Sequence, residues 1–455
     1  MLPRDVLATL KLEHDVLWIK AAYPWQRDDA LAVLEGERPY GYFTRSRGCS
    51  KTVDLSAVTL SFLLAADGRF RAYWLASDAE QAALAIDTIT GFVQRTPALR
   101  DHVQVLARRV IVPESGAQLE ILPADAAGAW GLTPHLVVAD ELANWPATTG
   151  ARRLWEAASS AVAKRSDARL CVLTTPSSPD HWSFKVLQAA RASSLWRVSE
   201  RVGPSPWMSE DRLAEQKARL PPSVYEQLFE GRWVRSEGSF LEPSEVDAAF
   251  ILDGPANLPA DMPDVHGPWV AALDLGVVKD RTVVSIGHVE GEVVVLDRME
   301  VWSPSPDHPV DLGEVEAFIL SAHREFRFRR LLADPWQSLD MCQRLRAQGL
   351  EVAEYTFTVA SKQRLAATLL SSLRAGNLAL YEAEGLREEL LALRLVQGSA
   401  GQWSFDHKSS GHDDMAVSLS LMAVGLLEEF SGPPAGFVVP RSGISRRAYS
   451  SSEFG

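Results

Sequence analysis

The sequence predicts two successive α/β domains, and three observations carry that expectation. Residues 40 to 235 alternate short apolar runs with stretches of helical spacing, the pattern of a sheet buried between helices. A proline-rich stretch from 236 to 268 interrupts the alternation. A second alternation then starts at Pro268. The length of 455 residues also exceeds what one hydrophobic core usually organises.

Taken in order, the first domain (1–235) is expected to hold strands at 71–77 (RAYWLAS), 135–141 (HLVVADE) and 168–176 (ARLCVLTTP). A hairpin is expected over 110–122. Val53, Leu55, Val58, Phe62 and Leu63 follow Lys51 at helical spacing, which predicts a helix there. Pro243, Pro255, Pro259, Pro263 and Pro268 mark 236–268 as a linker wrapped on the surface. The second domain (269–430) opens with the strand PWVAALDLG, followed by TVVSIGHVEG and EVVVLDRMEVW. A helix near 311–326, the strands RRLLADP and EVAEYTF, a helix from Ser361 to Arg374 and an apolar helix from Asp413 to Glu429 complete it. The tail, 431–455, is rich in Gly, Ser and Pro and carries Arg441, Arg446 and Arg447; such a segment is expected to be flexible.

Composition narrows the class. A 46% hydrophobic and 23% charged content is that of a soluble globular protein. Cys49, Cys171 and Cys342 form no CxxC pair, which excludes a disulfide framework and zinc-ligand spacing and fits a reducing cytosol. Charges interrupt the N-terminal segment, unlike a secretory signal. The apolar stretch Ala416 to Leu427 is too short to span a bilayer. The net charge of −13 argues against a protein that coats DNA, since nonspecific binding requires phosphate neutralisation. A DNA enzyme remains compatible if its basic groups are local and its carboxylates hold metal ions.

Two constellations carry chemistry. In the first, Arg45 to Thr52 (RSRGCSKT) opens a helix after Tyr42 and Phe43. A phosphate-binding loop needs inward backbone N–H groups, a Lys for the β/γ-phosphates and a hydroxyl for Mg²⁺; Lys51 and Thr52 suit the last two roles. Ser50 stands where such loops have Gly, and Arg45 replaces the first Gly. Serine fits there provided the loop does not force a positive φ on it. About 90 residues on, Leu136 to Glu141 is an apolar strand ending in Asp140 and Glu141, where the Asp supports Mg²⁺ and the Glu orients the attacking water. The two motifs in this order predict a P-loop (RecA/ASCE-like) ATPase domain binding ATP and Mg²⁺.

In the second, Asp274 lies inside an apolar strand, Asp280 follows a turn, Asp334 ends the strand Leu331 to Ala333, and Asp413 and Asp414 open the last helix. Singly, each also suits a turn or helix cap. Buried in an apolar strand, however, a carboxylate costs several kcal/mol unless paired or metal-bound. Together the acids repeat the layout of an RNase H-like nuclease, in which two Mg²⁺ or Mn²⁺ ions about 4 Å apart activate water. His412 either orients a carboxylate, contacts phosphate or is structural. His323, Arg324, Arg327, Arg329 and Arg330, with Lys362, Arg364 and Lys408, are either DNA contacts or a solvated face.

The string SRGCSKT resembles the deviant Walker A motif of tailed-phage terminase large subunits, with Arg47 four residues before the Lys. WLASDAEQA (74–82) looks like that family's next motif, LTTPSS (173–178) its coupling motif, and Pro24-Trp25-Gln26 its adenine-reading Gln motif. DLGVVKDRT, LLADPW and GHDDMAVSLSLMA resemble its three acidic nuclease motifs. The resemblance covers roughly residues 20 to 430. It implies that Arg47, Gly48, Cys49, Ser50, Lys51 and Thr52 cradle the nucleotide with Gln26, and that Asp140 and Glu141 serve hydrolysis. Thr174 and Thr175 would sense the γ-phosphate. Asp274, Asp334, Asp413 and Asp414 would be metal ligands, with Asp280 in support. It further implies double-stranded DNA, a portal protein and a terminase small subunit as partners. A homo-oligomeric ring on the portal, with a monomer in solution as the alternative, and the cytoplasm of an infected bacterium complete the picture. Two other functions share the motifs: a helicase- or recombination-type ATPase fused to such a nuclease, and a non-enzymatic packaging adaptor with a degenerate ATP site.

Overall fold

A computed structural model of the chain describes residues 1–77, 79–123, 131–235, 238–256, 269–305, 308–398, 402–407 and 411–429. The expected tail, most of the Pro255–Pro268 segment, and Lys408 lie outside the described residues. The chain forms two compact units, one principally Met1–Lys217 and one principally Glu237–Gln397.

The first unit is built on eight strands: β1 (Tyr40–Thr44), β2 (Arg71–Ala76), β3 (Gln104–Leu106), β4 (Arg109–Val112), β5 (Ala117–Pro123), β6 (Leu136–Asp140), β7 (Arg169–Thr174) and β8 (Trp196–Glu200). Their order is β3-β4-β5-β2-β6-β7-β1-β8. From β5 to β8 every pairing is parallel, while β3, β4 and β5 are antiparallel. Parallel strands need both faces covered. Leu55, Leu63, Ile89 and Phe92 cover one face; Trp145, Leu154, Ala158 and Leu187 cover the other. The helix after Lys51 runs Lys51–Ala65. Because β6, β7 and β1 are neighbours and parallel, the segments leaving them emerge at one edge of the sheet. Loop 45–50, Asp140-Glu141 and Thr174-Thr175 therefore meet there, at the carboxyl ends where open α/β sheets bind ligands.

The second unit holds β9 (Phe250–Leu252), β10 (Val270–Asp274), β11 (Thr282–Glu290), β12 (Val293–Trp302), β13 (Leu331–Ala333), β14 (Val352–Glu354) and β15 (Leu378–Tyr381). They form a sheet in the order β14-β13-β10-β11-β12-β15-β9. β10, β11 and β12 are antiparallel, whereas β13 and β14 join β10 in parallel. The register pairs Leu273 with Ala333, so Asp274 and Asp334 end adjacent strands side by side. A hairpin, β16 (Arg394–Gln397) with β17 (Trp403–Asp406), delivers the chain to the last helix, Asp414–Glu429, which packs on β10 and β11. Asp413 stands just before that helix rather than inside it.

One expectation is corrected here. The expected surface linker contains a helix, Pro243–Ala249, with Val246 and Ala249 buried, followed by β9, which pairs with β15. Pro243 sits in the helix's first turn, where its missing N–H breaks no hydrogen bond. Proline there starts structure instead of interrupting it.

Candidate nucleotide and metal sites

Lys51 is the centre of the first site. Its Nζ donates to Thr175 Oγ1 at 2.8 Å and lies 3.1 Å from Glu141 Oε1. Thr175 also holds Glu141, through its N–H at 2.7 Å and its hydroxyl at 3.2 Å. Thr174 is fully buried; its Oγ1 accepts from Ala143 N at 2.9 Å, tying β7 to the turn after Glu141. Thr52 Oγ1 lies 3.4 Å from Asp140 Oδ2. Asp140 Oδ1 is buried without a hydrogen-bond partner. Burial, then the charge of Glu141, pushes the Asp140 carboxyl up to about 7. A buried carboxylate with an unused oxygen beside a hydroxyl is the donor set a hard divalent cation takes; the residues fit Mg²⁺.

Loop 45–50 departs from its expected form in an informative way. Ser50 has φ +51°, so the condition under which serine fits without strain is not met. Gly48 has φ +78°, where glycine carries no such cost. Arg45 is wholly buried: Nη1 binds Asp54 at 2.6 Å, Nη2 binds Asp29 at 2.9 Å, and the guanidinium lies 4.5 Å from the Trp25 ring centre. The residue that displaces the first glycine thus ties β1 to the helices on either side of the loop. Arg47 is exposed, its N–H donating to Leu228 O at 2.6 Å. Cys49 is buried, with Sγ 3.1 Å from Ser46 Oγ.

Gln26 lines a cavity of about 720 Å³ together with Tyr23, Ser50, Val53 and Trp207. Both ends of its amide meet protein groups: Nε2 donates to Asp54 at 2.9 and 3.0 Å, and Oε1 accepts from Tyr23 N at 2.8 Å. Trp25, half-buried, is sandwiched between Arg45 and Arg201, whose guanidinium is 4.9 Å from the ring centre.

In the second unit the acids gather as the strand ends dictate. Burial, then the charges of Asp414, Asp413, Asp280 and Asp334, holds the Asp274 carboxyl well above the usual carboxylate range. That one residue feels all four others. Asp334 caps the helix Pro335–Ala347, Oδ1 accepting from Trp336 N at 3.1 Å, so it serves as cap and site residue at once. Asp280 is exposed in the turn after β10. Asp414 is buried and accepts from Arg281 N at 3.1 Å; His412 Nδ1 lies 3.4 Å from it. Burial raises the carboxyls of both Asp413 and Asp414. These carboxylates, from four segments, repel one another, and hard oxygen donors of this kind suit Mg²⁺ or Mn²⁺; among the described residues, however, Asp274, Asp280, Asp334 and Asp414 do not bring three ligand atoms within 4.8 Å of one another.

His407 was not visible from the sequence. Its Nδ1 is 2.9 Å from Asp413 Oδ1, and Asp406, His407 and Asp413 bring their ligand atoms within 4.8 Å of one another. Burial disfavours protonation of His407, but its bond to Asp413 and the charges of Asp413, Asp406 and Asp414 outweigh this and raise its pKa. Only the hairpin β16–β17 makes the pair adjacent. The basic group before β13 has different neighbours: Arg329 lies 3.4 Å from Glu429, and Arg330 lies 3.6 Å from Glu428 and Glu429. Arg364 likewise pairs with Glu428 at 2.7 Å.

The family model described as "Terminase large subunit, T4likevirus-type, N-terminal" matches residues 43–246. Residues 43–246 are thus similar to the N-terminal part of phage terminase large subunits. A search of curated proteins returned no match. Among solved structures, the large terminase of a thermophilic bacteriophage in complex with ADP is similar at 12% identity, covering 90% of this chain and 100% of that one, with a TM-score of 0.58. The HK97 bacteriophage large terminase matches at 18% identity over 93% of this chain and 100% of that one, with a TM-score of 0.44. The large terminase nuclease of thermophilic phage G20c with bound magnesium matches at 19% identity over 41% of this chain and 96% of that one, with a TM-score of 0.33. The fold shared with the large terminase solved with ADP is a P-loop-type (RecA/ASCE-like) α/β unit followed by an RNase H-like α/β unit, the latter on the central order β12-β11-β10-β13-β14. Among the described residues no helix is long and apolar enough to cross a membrane.

Proposed function

We propose that this protein is a terminase large subunit that hydrolyses ATP in its first domain to drive double-stranded DNA into a viral procapsid, and cleaves concatemeric DNA with the acids of its second. The first domain is taken as 1–235 and the second as 269–430. The observation that carries the reading is the Asp274 carboxyl, whose four acidic neighbours arrive from three other segments.

In the ATPase, the phosphates of ATP enter loop 45–51 at the N-terminus of the Lys51–Ala65 helix, whose N–H groups favour anions. Lys51, now 3.1 Å from Glu141, exchanges that carboxylate for phosphate oxygens. Glu141 is thereby released to orient the attacking water and take its proton. Thr175 touches both Lys51 and Glu141, so it registers the exchange, and Thr174 passes it to the turn at Ala143. Thr52 and Asp140 would hold Mg²⁺, which when bound neutralises the phosphate charge. The cavity beside Ser50 is large enough for the base, with Gln26 in its wall. The thermophilic-phage terminase solved with ADP shares the fold, which supports a nucleotide in this domain.

In the nuclease, Asp274, Asp334, Asp413 and Asp414, supported by Asp280, would hold two Mg²⁺ or Mn²⁺ ions, which when bound supply an activated water and stabilise the leaving 3′-oxygen. β10 and β13 fix Asp274 and Asp334, the Arg281 N–H fixes Asp414, and His407 fixes Asp413. DNA, the portal protein and a small subunit are the partners, a ring on the portal the working assembly, and the host cytoplasm the setting.

The two chemistries separate by mutation. Lys51→Ala and Glu141→Gln are expected to lower DNA-stimulated ATPase at least ~100-fold while Mn²⁺-dependent plasmid cutting survives. Asp274→Asn and Asp334→Asn should do the reverse. Plasmid cutting that persists in both Asn variants would show that other residues carry the nuclease.

A further inference from the structure

Glu389 belongs to none of the acidic motifs, yet it is buried, 6% exposed, in the short helix Leu386–Ala392. Its Oε1 accepts from Ala416 N at 2.9 Å, in the first turn of the helix Asp414–Glu429. Its Oε2 is 3.5 Å from Arg281 Nη1, within ion-pair range, and has no hydrogen-bond partner. Arg281 follows Asp280 directly. Its own N–H donates to Asp414 Oδ2 at 3.1 Å, and its Nη1 approaches Met415 Sδ at 4.0 Å. The turn that carries Asp280 is closed by Thr282 Oγ1 donating to Gly276 O at 2.6 Å. It is tight enough that a Cβ on Gly276 would come within 2.4 Å of Asp280 O.

We propose that Glu389 and Arg281 form a positioning strut that locks the Asp280 turn to the helix bearing Asp414, and so sets the geometry in which the nuclease acids hold their metal ions. Neither residue is among the acids proposed to hold the metal ions. Burying a further carboxylate beside Asp414 is otherwise unfavourable: burial, and after it the Asp414 charge, pushes Glu389 up to about 7 against the pull of the Ala416 N–H and of Arg281. Residues that orient metal ligands from behind typically change metal affinity ~10- to 100-fold when altered.

The inference rests on the nuclease reading above, and the test separates the two. Mn²⁺ is titrated into the full-length, nucleotide-free protein by calorimetry, with bound Mn²⁺ followed by electron paramagnetic resonance. Asp274→Asn must lose this binding; if it does not, the nuclease reading fails and the strut with it. Given that loss, Glu389→Gln and Arg281→Gln are each expected to weaken Mn²⁺ binding about tenfold, and the double variant no more than either alone. The Arg281 result has a decisive sign. A purely electrostatic influence predicts tighter Mn²⁺ binding when that cation is removed, whereas a strut predicts weaker. Tighter or unchanged binding in Arg281→Gln, additive losses in the double variant, or an effect confined to the metal-free melting temperature would each overturn the strut. Arg281→Lys, which keeps the charge, should recover most of the affinity, and ATPase activity should be unchanged throughout as a check on folding.

Discussion

At the scale of single residues, strain and repulsion collect where chemistry is expected. Ser50 and Glu141 hold φ values of +51° and +48°, a region that costs a residue with a side chain about 1–2 kcal/mol. Ser50→Gly is expected to stabilise the ATPase domain by about 0.5–1 kcal/mol, after the greater freedom of unfolded glycine is set against the relieved strain; denaturant unfolding measures it, and a less stable variant would refute it. Asp274 presents the same conflict in charge. Its folded pKa lies well above its ordinary 3.8, so the folded state binds that proton more tightly than the unfolded one. Stability relative to an uncharged isostere therefore falls as pH rises from about 4 towards the folded value. Metal-free Asp274→Asn should melt above wild type at about pH 8, the gap closing towards about pH 4, as calorimetry at several pH values would reveal. The variant predicted to abolish cutting is thus also predicted to be more stable.

At the scale of elements, loop 45–50 is held from outside. Arg45 joins β1 to Asp29 in the helix Pro24–Glu35 and to Asp54 in the helix Lys51–Ala65. Arg45→Met leaves buried Asp54 without a cation and Asp29 with only Arg197, 3.4 Å away, a change that costs about 3–5 kcal/mol. Chemical denaturation should show that loss in the first unit, and a loss under about 1 kcal/mol would mean the pair is dispensable. Element by element, legibility in the sequence follows burial symmetry. β6 and β10 were visible because strands buried on both faces read as unbroken apolar runs that end in acids. β9, β8 and the hairpin β16–β17 lie at edges or outside the sheets and have mixed, short sequences, so nothing local distinguishes them from loop. Pro243 misled for a related reason: a proline that opens a helix and one that breaks it look alike until the residues behind it are seen to be buried.

At the scale of the whole molecule, the net charge of −13 bears on how DNA would be met under the proposed function. If the acids of the second unit cut DNA as proposed, they repel its phosphates until cations neutralise them, so divalent ions are expected to be part of binding as well as of chemistry. At constant ionic strength, Ca²⁺ in place of Na⁺ should raise duplex affinity roughly tenfold without cutting, and Asp274→Asn should lose most of that gain. Fluorescence anisotropy with and without a chelator decides it; equal affinities would mean the acids do not face DNA.

Chain order and residue chemistry alone pointed to two α/β domains, to Lys51, Thr52, Asp140 and Glu141 as one candidate site, and to Asp274, Asp334, Asp413 and Asp414 as another. Those signals are local: an apolar run, a carboxylate at its end, a hydroxyl beside a lysine. Only the tertiary structure decided that Arg45 is a buried brace, that Ser50 is strained, that His407 bonds Asp413, and that Glu389 grips Arg281. Each of these depends on a partner distant in the chain or on a backbone angle set by its surroundings. Nothing in the spacing of a serine, a histidine or a helical glutamate specifies which neighbour folding will bring against it.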